Sequence, residues 1–183
     1  MGSNPIISSS ETVYGTCSCK LFFISSQIHT RKTRREMQLM ERMKFPVAVH
    51  LFLVKDHQIL LLRRYNTGYE DGNYSVIAGH LDGGEDVYTA MIREAKEEAG
   101  IDIRRNDLEI VQVMHRKKHD EERVDYFFAC CAWQGEITNR EPNKCDELKW
   151  YDQEQLPLNV IDYIDAAIKN YGNQVRFSTF GWE

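Results

Sequence analysis

Runs of mostly apolar residues, separated by short polar stretches, predict the strands of this chain. The run at 47–54 is rich in β-branched residues, a polar turn follows at 55–58, and a second apolar run covers 59–64, so the pair predicts a β-hairpin. The polar stretch 115–123 is expected to be a loop between two later strands. Further short strands are predicted at 74–78, 108–114, 124–133 and 147–151.

In two other segments the apolar residues recur with the helical period of 3.6 residues. The stronger one covers 85–99, where two acidic residues suit the positive N-terminal end of a helix and Gly100 is a natural stop. The second covers 160–169. Strands around one strong helix, with another helix late in the chain, predict an α/β layered domain. The core-facing side of the first helix is predicted to carry Tyr88, Ile92, Ala95 and Ala99.

The first 42 residues differ in composition from the rest, because they are rich in Ser, Thr and basic residues. Three interpretations stay open: an organellar targeting peptide, a flexible tail, or translated upstream sequence with the natural start at Met37, Met40 or Met43. We favour a disordered leader or a misplaced start over an organellar address. The predicted organisation is therefore a basic leader at 1–42 and a single domain at 43–183.

The chain of 183 residues has a formal net charge of −5, but the charge is unevenly distributed. Residues 1–46 contain seven basic and three acidic residues, which leaves 16 basic and 25 acidic residues in the rest, a net charge of −9. The acidic charge of residues 47–183 disfavours nucleic acid as a partner. A protein of this charge that acts on phosphates is expected to need a metal ion. No apolar run approaches the roughly 20 residues that span a bilayer, so no membrane partner is expected.

The five cysteines are an odd number and include no C-x-x-C pair. This pattern suits a reducing compartment better than a secreted disulfide scaffold, so we predict a cytoplasmic protein, with organellar targeting by the leader as the alternative. The length suits one domain, acting as a monomer or a homodimer.

Three acidic residues lie close together on the stronger helix. Glu94, Glu97 and Glu98 follow the i, i+3, i+4 spacing, which brings their Cβ atoms to about 5–6 Å from one another. Like charges at this spacing repel, so they occur on an open, solvated face or at a site that holds a hard cation such as Mg²⁺ or Mn²⁺. The glycine-rich loop before the helix, and the basic residues Arg93 and Lys96 between the acids, favour the cation site.

The segment from Gly79 to Ile101 resembles the Nudix box, G-x5-E-x7-R-E-U-x-E-E-x-G-U, in which U is a bulky aliphatic residue. All the fixed letters of this motif are present, and the one soft departure is Ala95 in an aliphatic position. The resemblance extends more weakly over about residues 45 to 170, which is nearly the whole predicted domain. It implies a Nudix fold: an α/β/α sandwich with a mixed β-sheet, and a loop–helix–loop that carries the box.

The resemblance also implies an activity, the hydrolysis of a diphosphate bond in a nucleoside diphosphate linked to another group, with Mg²⁺ or Mn²⁺ as cofactor. Glu94, Glu97 and Glu98 would then be metal ligands, and Glu97 or Glu98 would also act on the attacking water. Arg93 would orient the carboxylates by pairing with Glu85.

Residues outside the motif helix complete the predicted site. Gly79 is expected to let the backbone curve close to the metal and substrate. A further ligand is expected from the region of Glu141, which resembles the part of MutT-type enzymes that supplies one; an ordinary loop acid is the alternative. The substrate-binding candidates, each with packing, capping or surface charge as its alternative, are Arg63, Arg64, Tyr74 and Asn159.

The substrate is the least determined feature. MutT-like proteins often have Pro-Gly-Gly where this chain has Ile77-Ala78-Gly79, which argues against a strict specialist for oxidised purines. A nucleoside triphosphate pyrophosphatase that releases a monophosphate and pyrophosphate is the leading interpretation. Dinucleoside polyphosphate or nucleotide-sugar cleavage comes second, and a non-catalytic nucleotide-binding module is the third possibility.

Overall fold

The computed structural model describes residues 44–182, so the predicted leader at 1–42 lies outside the described residues. Eight strands and two α-helices follow one another within this part of the chain, with one 3₁₀ turn between the first helix and the fifth strand. The elements are β1 (Val47–Lys55), β2 (Gln58–Arg64), β3 (Tyr74–Ser75), β4 (Ile77–His80), α1 (Val87–Ala99), the 3₁₀ turn (Arg105–Asp107), β5 (Glu109–Lys118), β6 (Glu121–Cys130), β7 (Cys145–Asp152), α2 (Asp162–Gly172) and β8 (Phe177–Phe180).

The strands form a mixed sheet with β1 near its centre. β1 pairs in parallel with β6 and antiparallel with β4, and β6 continues through β5 to β8. A second group of strands, β3, β2 and β7, is antiparallel throughout. The hairpin predicted for β1 and β2 is confirmed only at its turn, where Val54 pairs with Ile59 and Lys55 with Gln58. Beyond the turn the two strands separate into the two groups.

The segment at 74–78 was predicted as one strand, and the structure divides it between the two groups. Tyr74 and Ser75 pair with β2, whereas the residues from Ile77 onwards pair with β1. The chain therefore crosses from one strand group to the other directly before Gly79, where the motif begins.

Alternate residues of β1 pack on opposite faces of the sheet, as the two-residue period of a strand requires. Val49, Leu51 and Leu53 belong to the core cluster that contains the buried face of α1. Phe52 belongs to a second cluster, which contains the buried face of α2. Each face of the sheet is thus covered by a helix, and the expected α/β/α sandwich is confirmed.

The prediction of a loop at 115–123 was wrong. These residues continue β5 and β6 into a long hairpin, whose turn contains His119 at a φ of 56°. The charged side chains that suggested a loop are paired, since Lys118 contacts Glu70 at 2.8 Å and Arg123 contacts Glu121 at 2.8 Å. Neutralised in this way, polar residues are compatible with a strand.

The helix α1 starts two residues later than predicted and buries a slightly different face. Asp86 is its N-cap and accepts hydrogen bonds from the backbone N–H groups of Tyr88 and Thr89, while Gly100 ends it in the left-handed conformation at a φ of 74°. Tyr88 and Ile92, predicted for the core, are only half-buried. The buried residues of α1 are Ala90, Met91, Ala95 and Ala99.

The second helix is also displaced from its predicted position, since it covers Asp162–Gly172 instead of 160–169. The residues after it, which had no firm prediction, form β8 at the edge of the sheet next to β5. Among the described residues, no helix has the length and apolar character needed to cross a membrane.

Candidate active site

A cavity of about 560 Å³ lies beside the motif helix. The α1 residues that border it are the three predicted metal ligands, Glu94, Glu97 and Glu98. The cavity also reaches residues of β1, β2, β4, β5 and α2, so distant parts of the chain meet there. A volume of this size is typical of small-molecule sites.

Arg93 connects the carboxylates around the cavity. Its Nη2 atom lies 2.7 Å from Glu85 Oε1, so the ion pair expected from the sequence is present. Its Nη1 atom contacts Glu94 Oε1 at 2.7 Å and Glu97 Oε2 at 3.2 Å. Arg93 also donates to the backbone carbonyl of His80, at 3.1 Å. One guanidinium therefore links the loop before α1 to two of the acidic residues on α1.

Gly79 lies directly against Glu94. A Cβ atom built at this position would lie 1.8 Å from Glu94 Oε1, so any other residue here would displace that carboxylate. The glycine expected near the metal site is explained by this close approach. Gly79 also borders the cavity.

Glu98 is the carboxylate with the most strongly altered acidity. Burial raises its pKa to about 8, and the charges of Glu94 and Glu141 add to the shift, although a backbone hydrogen bond from Ala78 acts against it. That bond joins Ala78 N to Glu98 Oε2 at 3.1 Å. Burial also raises the pKa of Glu94. Glu94 is nevertheless paired with Arg93, whereas Glu98 forms no ion pair within residues 44–182.

The donor set fits a hard divalent cation. All the donors are carboxylate oxygens, which Mg²⁺ and Mn²⁺ prefer, and the raised pKa values of Glu94 and Glu98 are the shifts that a nearby cation would reverse. Within residues 44–182, however, no three acidic, His or Cys side chains stand in a metal-binding arrangement. Arg93 occupies part of the space between the acids, through its contacts with Glu94 and Glu97.

Glu141, the predicted ligand from outside the motif, borders the same cavity. It lies close enough to Glu94 and Glu98 for its charge to raise the pKa of both. Its own carboxylate is paired with Lys144, at 2.7 Å. The residues that resembled the second ligand region are therefore brought to the acidic part of the cavity by the fold.

The predicted substrate residues separate into two groups. Arg64 borders the cavity and donates to the carbonyl of Tyr69 and the hydroxyl of Thr67. Arg63 does not border it, because its guanidinium pairs with Asp146 at 2.7 Å on the surface. Arg64 therefore borders the cavity and Arg63 does not, and the substrate-binding role of either arginine stays a prediction.

Tyr74 and Asn159 are also absent from the cavity lining. Tyr74 is buried in the α2 core cluster, and its hydroxyl bonds to Glu147 and Tyr151. Asn159 donates to the carbonyl of Gly72 at 2.7 Å and borders a neighbouring cleft. The packing alternative holds for Tyr74, whereas the capping alternative for Asn159 is wrong because the N-cap of α2 is Ile161.

Several residues of the cavity region had no counterpart in the sequence interpretation. His50 and Tyr163 border the cavity, as does Arg116, which bonds to the buried Asp125. They come from β1, α2, β5 and β6, and no local spacing connects them. Residues 115–123 are all polar, so no alternation of apolar and polar residues would have placed Arg116 inside a strand.

Comparison with known proteins agrees with this geometry. A family model described as NUDIX domain matches residues 44–170. The chain is 29% identical over 125 residues to a protein named ADP-ribose pyrophosphatase from Methanocaldococcus jannaschii. The aligned residues make up 68% of this chain and 72% of that protein. It is 27% identical over 104 residues to a protein named ADP compounds hydrolase NudE from Escherichia coli. The aligned residues make up 56% of this chain and 55% of that protein.

Solved structures show the same fold. A MutT NUDIX hydrolase from Burkholderia pseudomallei superposes with a TM-score of 0.64 at 26% identity, covering 69% of this chain and 98% of that one. A NUDIX hydrolase from Nitrosomonas europaea superposes with a TM-score of 0.61 at 16% identity, covering 76% and 80%.

Proposed function

Because the chain belongs to the NUDIX domain family and is a Nudix pyrophosphohydrolase, we propose that it hydrolyses nucleoside triphosphates to a monophosphate and pyrophosphate. In this reaction a water molecule loses a proton and its oxygen bonds to the α- or β-phosphorus. The bridging P–O bond between these two phosphorus atoms breaks, and the leaving group, pyrophosphate or the monophosphate, keeps the electron pair. The observation that supports it most directly is the cavity bordered by all three acidic residues of the motif helix.

Glu94, Glu97, Glu98 and Glu141 are the residues that would hold a divalent ion. When bound, Mg²⁺ or Mn²⁺ neutralises phosphate oxygens and lowers the pKa of coordinated water. Arg93 keeps Glu85, Glu94 and Glu97 together. Their orientation is therefore fixed before a substrate arrives.

Glu98 is the best candidate for taking the proton of the attacking water. Its side chain borders the cavity, and its Oε2 atom accepts a hydrogen bond from the backbone N–H of Ala78 at 3.1 Å, which holds the carboxylate in place. Glu97 is the less suitable of the two acids, because its side chain is 55% exposed and paired with Arg93.

The cavity of about 560 Å³ has room for one nucleotide. Its size does not separate a nucleoside triphosphate from ADP-ribose, in which a second ribose takes the place of the third phosphate. ADP-ribose is the second candidate, since the relative from Methanocaldococcus jannaschii is named an ADP-ribose pyrophosphatase.

A substrate screen tests the proposal. The full chain is incubated with the common nucleoside triphosphates, ADP-ribose, a dinucleoside polyphosphate and a nucleotide sugar, each with MgCl₂ or MnCl₂, and the products are separated by chromatography. We expect monophosphate and pyrophosphate from at least one triphosphate. Preferential cleavage of ADP-ribose would establish the second candidate instead, and no turnover of any diphosphate compound would establish a non-catalytic binding module.

Two variants test the assigned residues. Glu98→Gln removes the base and is expected to lower turnover by about 10²- to 10⁴-fold while the protein stays folded. Glu97→Gln is expected to lower it by removing a metal ligand. The exposed Glu154→Gln is the matched control and should keep normal turnover. Near-normal activity in both motif variants would refute these roles.

A further inference from the structure

Three polar residues lie buried together beside the cavity. Asp125 is 0% exposed, His50 is 2% exposed and Arg116 is 4% exposed. Arg116 Nε lies 2.6 Å from Asp125 Oδ2, and His50 Nε2 lies 3.3 Å from Asp125 Oδ1. Two of the three, His50 and Arg116, border the cavity.

Burying these polar side chains in the sheet costs free energy that apolar side chains would not cost. Removing a charged pair from water costs several kcal/mol per ion, and apolar residues of similar volume often serve stability as well or better. The neighbours on the same strands, Phe127 and Met114, are fully buried apolar residues. A buried ion pair on a cavity wall therefore suggests a role in binding.

The side chain of Arg116 is held rigidly. Its Nε and Nη2 atoms both donate to Asp125, at 2.6 Å and 3.4 Å, which uses the side edge of the guanidinium. The guanidinium carbon lies 3.7 Å from the centre of the Tyr163 ring, so one face is covered as well. Little side-chain entropy remains to be lost when a ligand binds.

One edge of this guanidinium is still free. The two terminal nitrogens, Nη1 and Nη2, form a second pair of parallel donors at the end of the group. Nη1 has no acceptor among residues 44–182, and Nη2 has none there besides Asp125. A fork of this kind matches a ligand with two neighbouring acceptor atoms.

The charge of the cluster indicates which acceptors are suitable. Burial acts to raise the pKa of Asp125, but the contacts with His50 and Arg116 outweigh it and lower that pKa to about 2, so the carboxylate is ionised and compensates the charge of Arg116. Burial lowers the pKa of His50, which keeps that ring neutral. The cluster has no net charge, so it suits neutral acceptors better than a phosphate group.

We propose that Arg116 is the specificity-determining residue for the nucleobase, and that it selects bases with a ring nitrogen and a carbonyl oxygen side by side. Guanine offers N7 and O6, and cytosine offers N3 and O2, whereas adenine and uracil have no such pair. The substrates favoured by this cavity are thus guanine and cytosine nucleotides. This inference rests on the proposed nucleotide substrate.

Equilibrium binding of the four nucleoside monophosphates, measured by calorimetry without divalent metal, tests the inference independently of turnover. We expect the full chain to bind GMP and CMP about 10-fold more tightly than AMP and UMP. Affinities within threefold of one another, or a preference for AMP or UMP, would overturn it.

Variants identify the residue responsible. Arg116→Lys keeps the charge but loses the fork, and it should abolish the preference. Since a lone change can leave Asp125 buried without a partner, Arg116→Met/Asp125→Leu removes both charges together and should bind all four nucleotides alike. Arg104→Met, which removes an arginine paired with Asp107 on the surface, should keep the preference. A preference that survives in both Arg116 variants would assign base selection to other residues.

Turnover separates the two proposals. Steady-state kinetics on GTP and ATP should show the base preference in KM, with a smaller change in kcat for Arg116→Lys. If the protein hydrolyses triphosphates but binds the four bases equally, only the specificity inference fails. If it prefers GMP and CMP yet hydrolyses no triphosphate, the proposed reaction fails and the base-reading role of Arg116 remains.

Discussion

At the scale of single residues, Arg93 and Gly79 explain how like charges are tolerated on one helix. Arg93 supplies positive charge to Glu85, Glu94 and Glu97. Gly79 leaves the space that the carboxylate of Glu94 occupies. The positive charge depends on Arg93 alone and the space on Gly79 alone, so a single substitution tests each of them.

Replacing Gly79 by Ala should lower activity much more than stability. The added Cβ would lie 1.8 Å from Glu94 Oε1, and the end of a flexible side chain can move away at little cost. We expect kcat/KM to fall at least 10-fold, with a melting temperature within about 5 °C of the wild type, as measured by kinetics and calorimetry. Gly83→Ala, whose Cβ meets nothing within 4 Å, is the control. Normal activity in the Gly79 variant would contradict the role of this close approach.

The acidity of Glu98 predicts a pH-dependent response to metal. Since burial raises its pKa to about 8, a divalent ion competes with a proton below that pH. The increase in melting temperature caused by MgCl₂ should therefore be larger at pH 9 than at pH 6.5, and Glu98→Gln should lose most of this difference. Equal increases at both pH values in the wild type would rule out Glu98 as the competing group.

The same shift affects the metal-free protein. The folded state holds a proton on Glu98 that the unfolded state, with an ordinary pKa of 4.5, releases. This group therefore contributes stability below pH 4.5, and the contribution is lost as the pH rises to about 8.

At the scale of elements, α1 is positioned by its two ends. Asp86 caps its first turn and Gly100 ends its last turn, so both ends of the helix are fixed. The acidic residues of α1 are thereby held in position along the cavity. The buried face consists mostly of alanines, which lets the helix lie close to β4 and β1. The long β5–β6 hairpin has a comparable role, because it carries Arg116 and Asp125 to the cavity region.

Removing the N-cap should destabilise the whole domain. In Asp86→Ala the backbone N–H groups of Tyr88 and Thr89 lose their acceptor, and such losses cost about 1 kcal/mol. Urea unfolding should show a lower midpoint with an unchanged m-value. Asp86→Asn keeps the capping oxygen and should recover most of the stability, and equal loss in both variants would show that the charge of Asp86 matters more than its hydrogen bonds.

At the scale of the whole molecule, the active-site cavity is bordered by residues of both strand groups and both helices. The two core clusters on either side of the sheet are formed by residues from Val49 to Phe180. The family model covers 44–170, and the domain at 43–183 stays a prediction.

A polypeptide of residues 43–183 should therefore fold and act without the preceding segment. We expect its kcat/KM to lie within about twofold of that of the full chain, and its thermal unfolding to be cooperative. Calorimetry and the substrate assay, run in parallel on both proteins, measure this. A shortened protein that is unfolded, or more than 10-fold less active, would show that residues 1–42 contribute to the working enzyme.

Sequence alone determined the features that depend on local spacing. The helical period fixes the mutual positions of Glu94, Glu97 and Glu98, and the short distance along the chain from Glu85 to Arg93 leaves few alternatives to their ion pair. The two helices follow from the period of 3.6, and most strands follow from runs of apolar residues bounded by polar turns. The family could be predicted from the resemblance of residues 79–101 to the Nudix box, and the three acids proposed as metal ligands could be placed together on one helix before any coordinates.

Only the tertiary structure decided which distant residues meet. The separation of β1 from β2 depends on competition between partners, because β6 and β4 pair with the length of β1. The cluster of His50, Arg116 and Asp125 joins three strands, and no sequence period relates their positions. Packing, rather than local propensity, selects one long-range pairing among many. The acids proposed to bind the metal can therefore be predicted from the sequence, whereas the cavity wall proposed to select the substrate cannot.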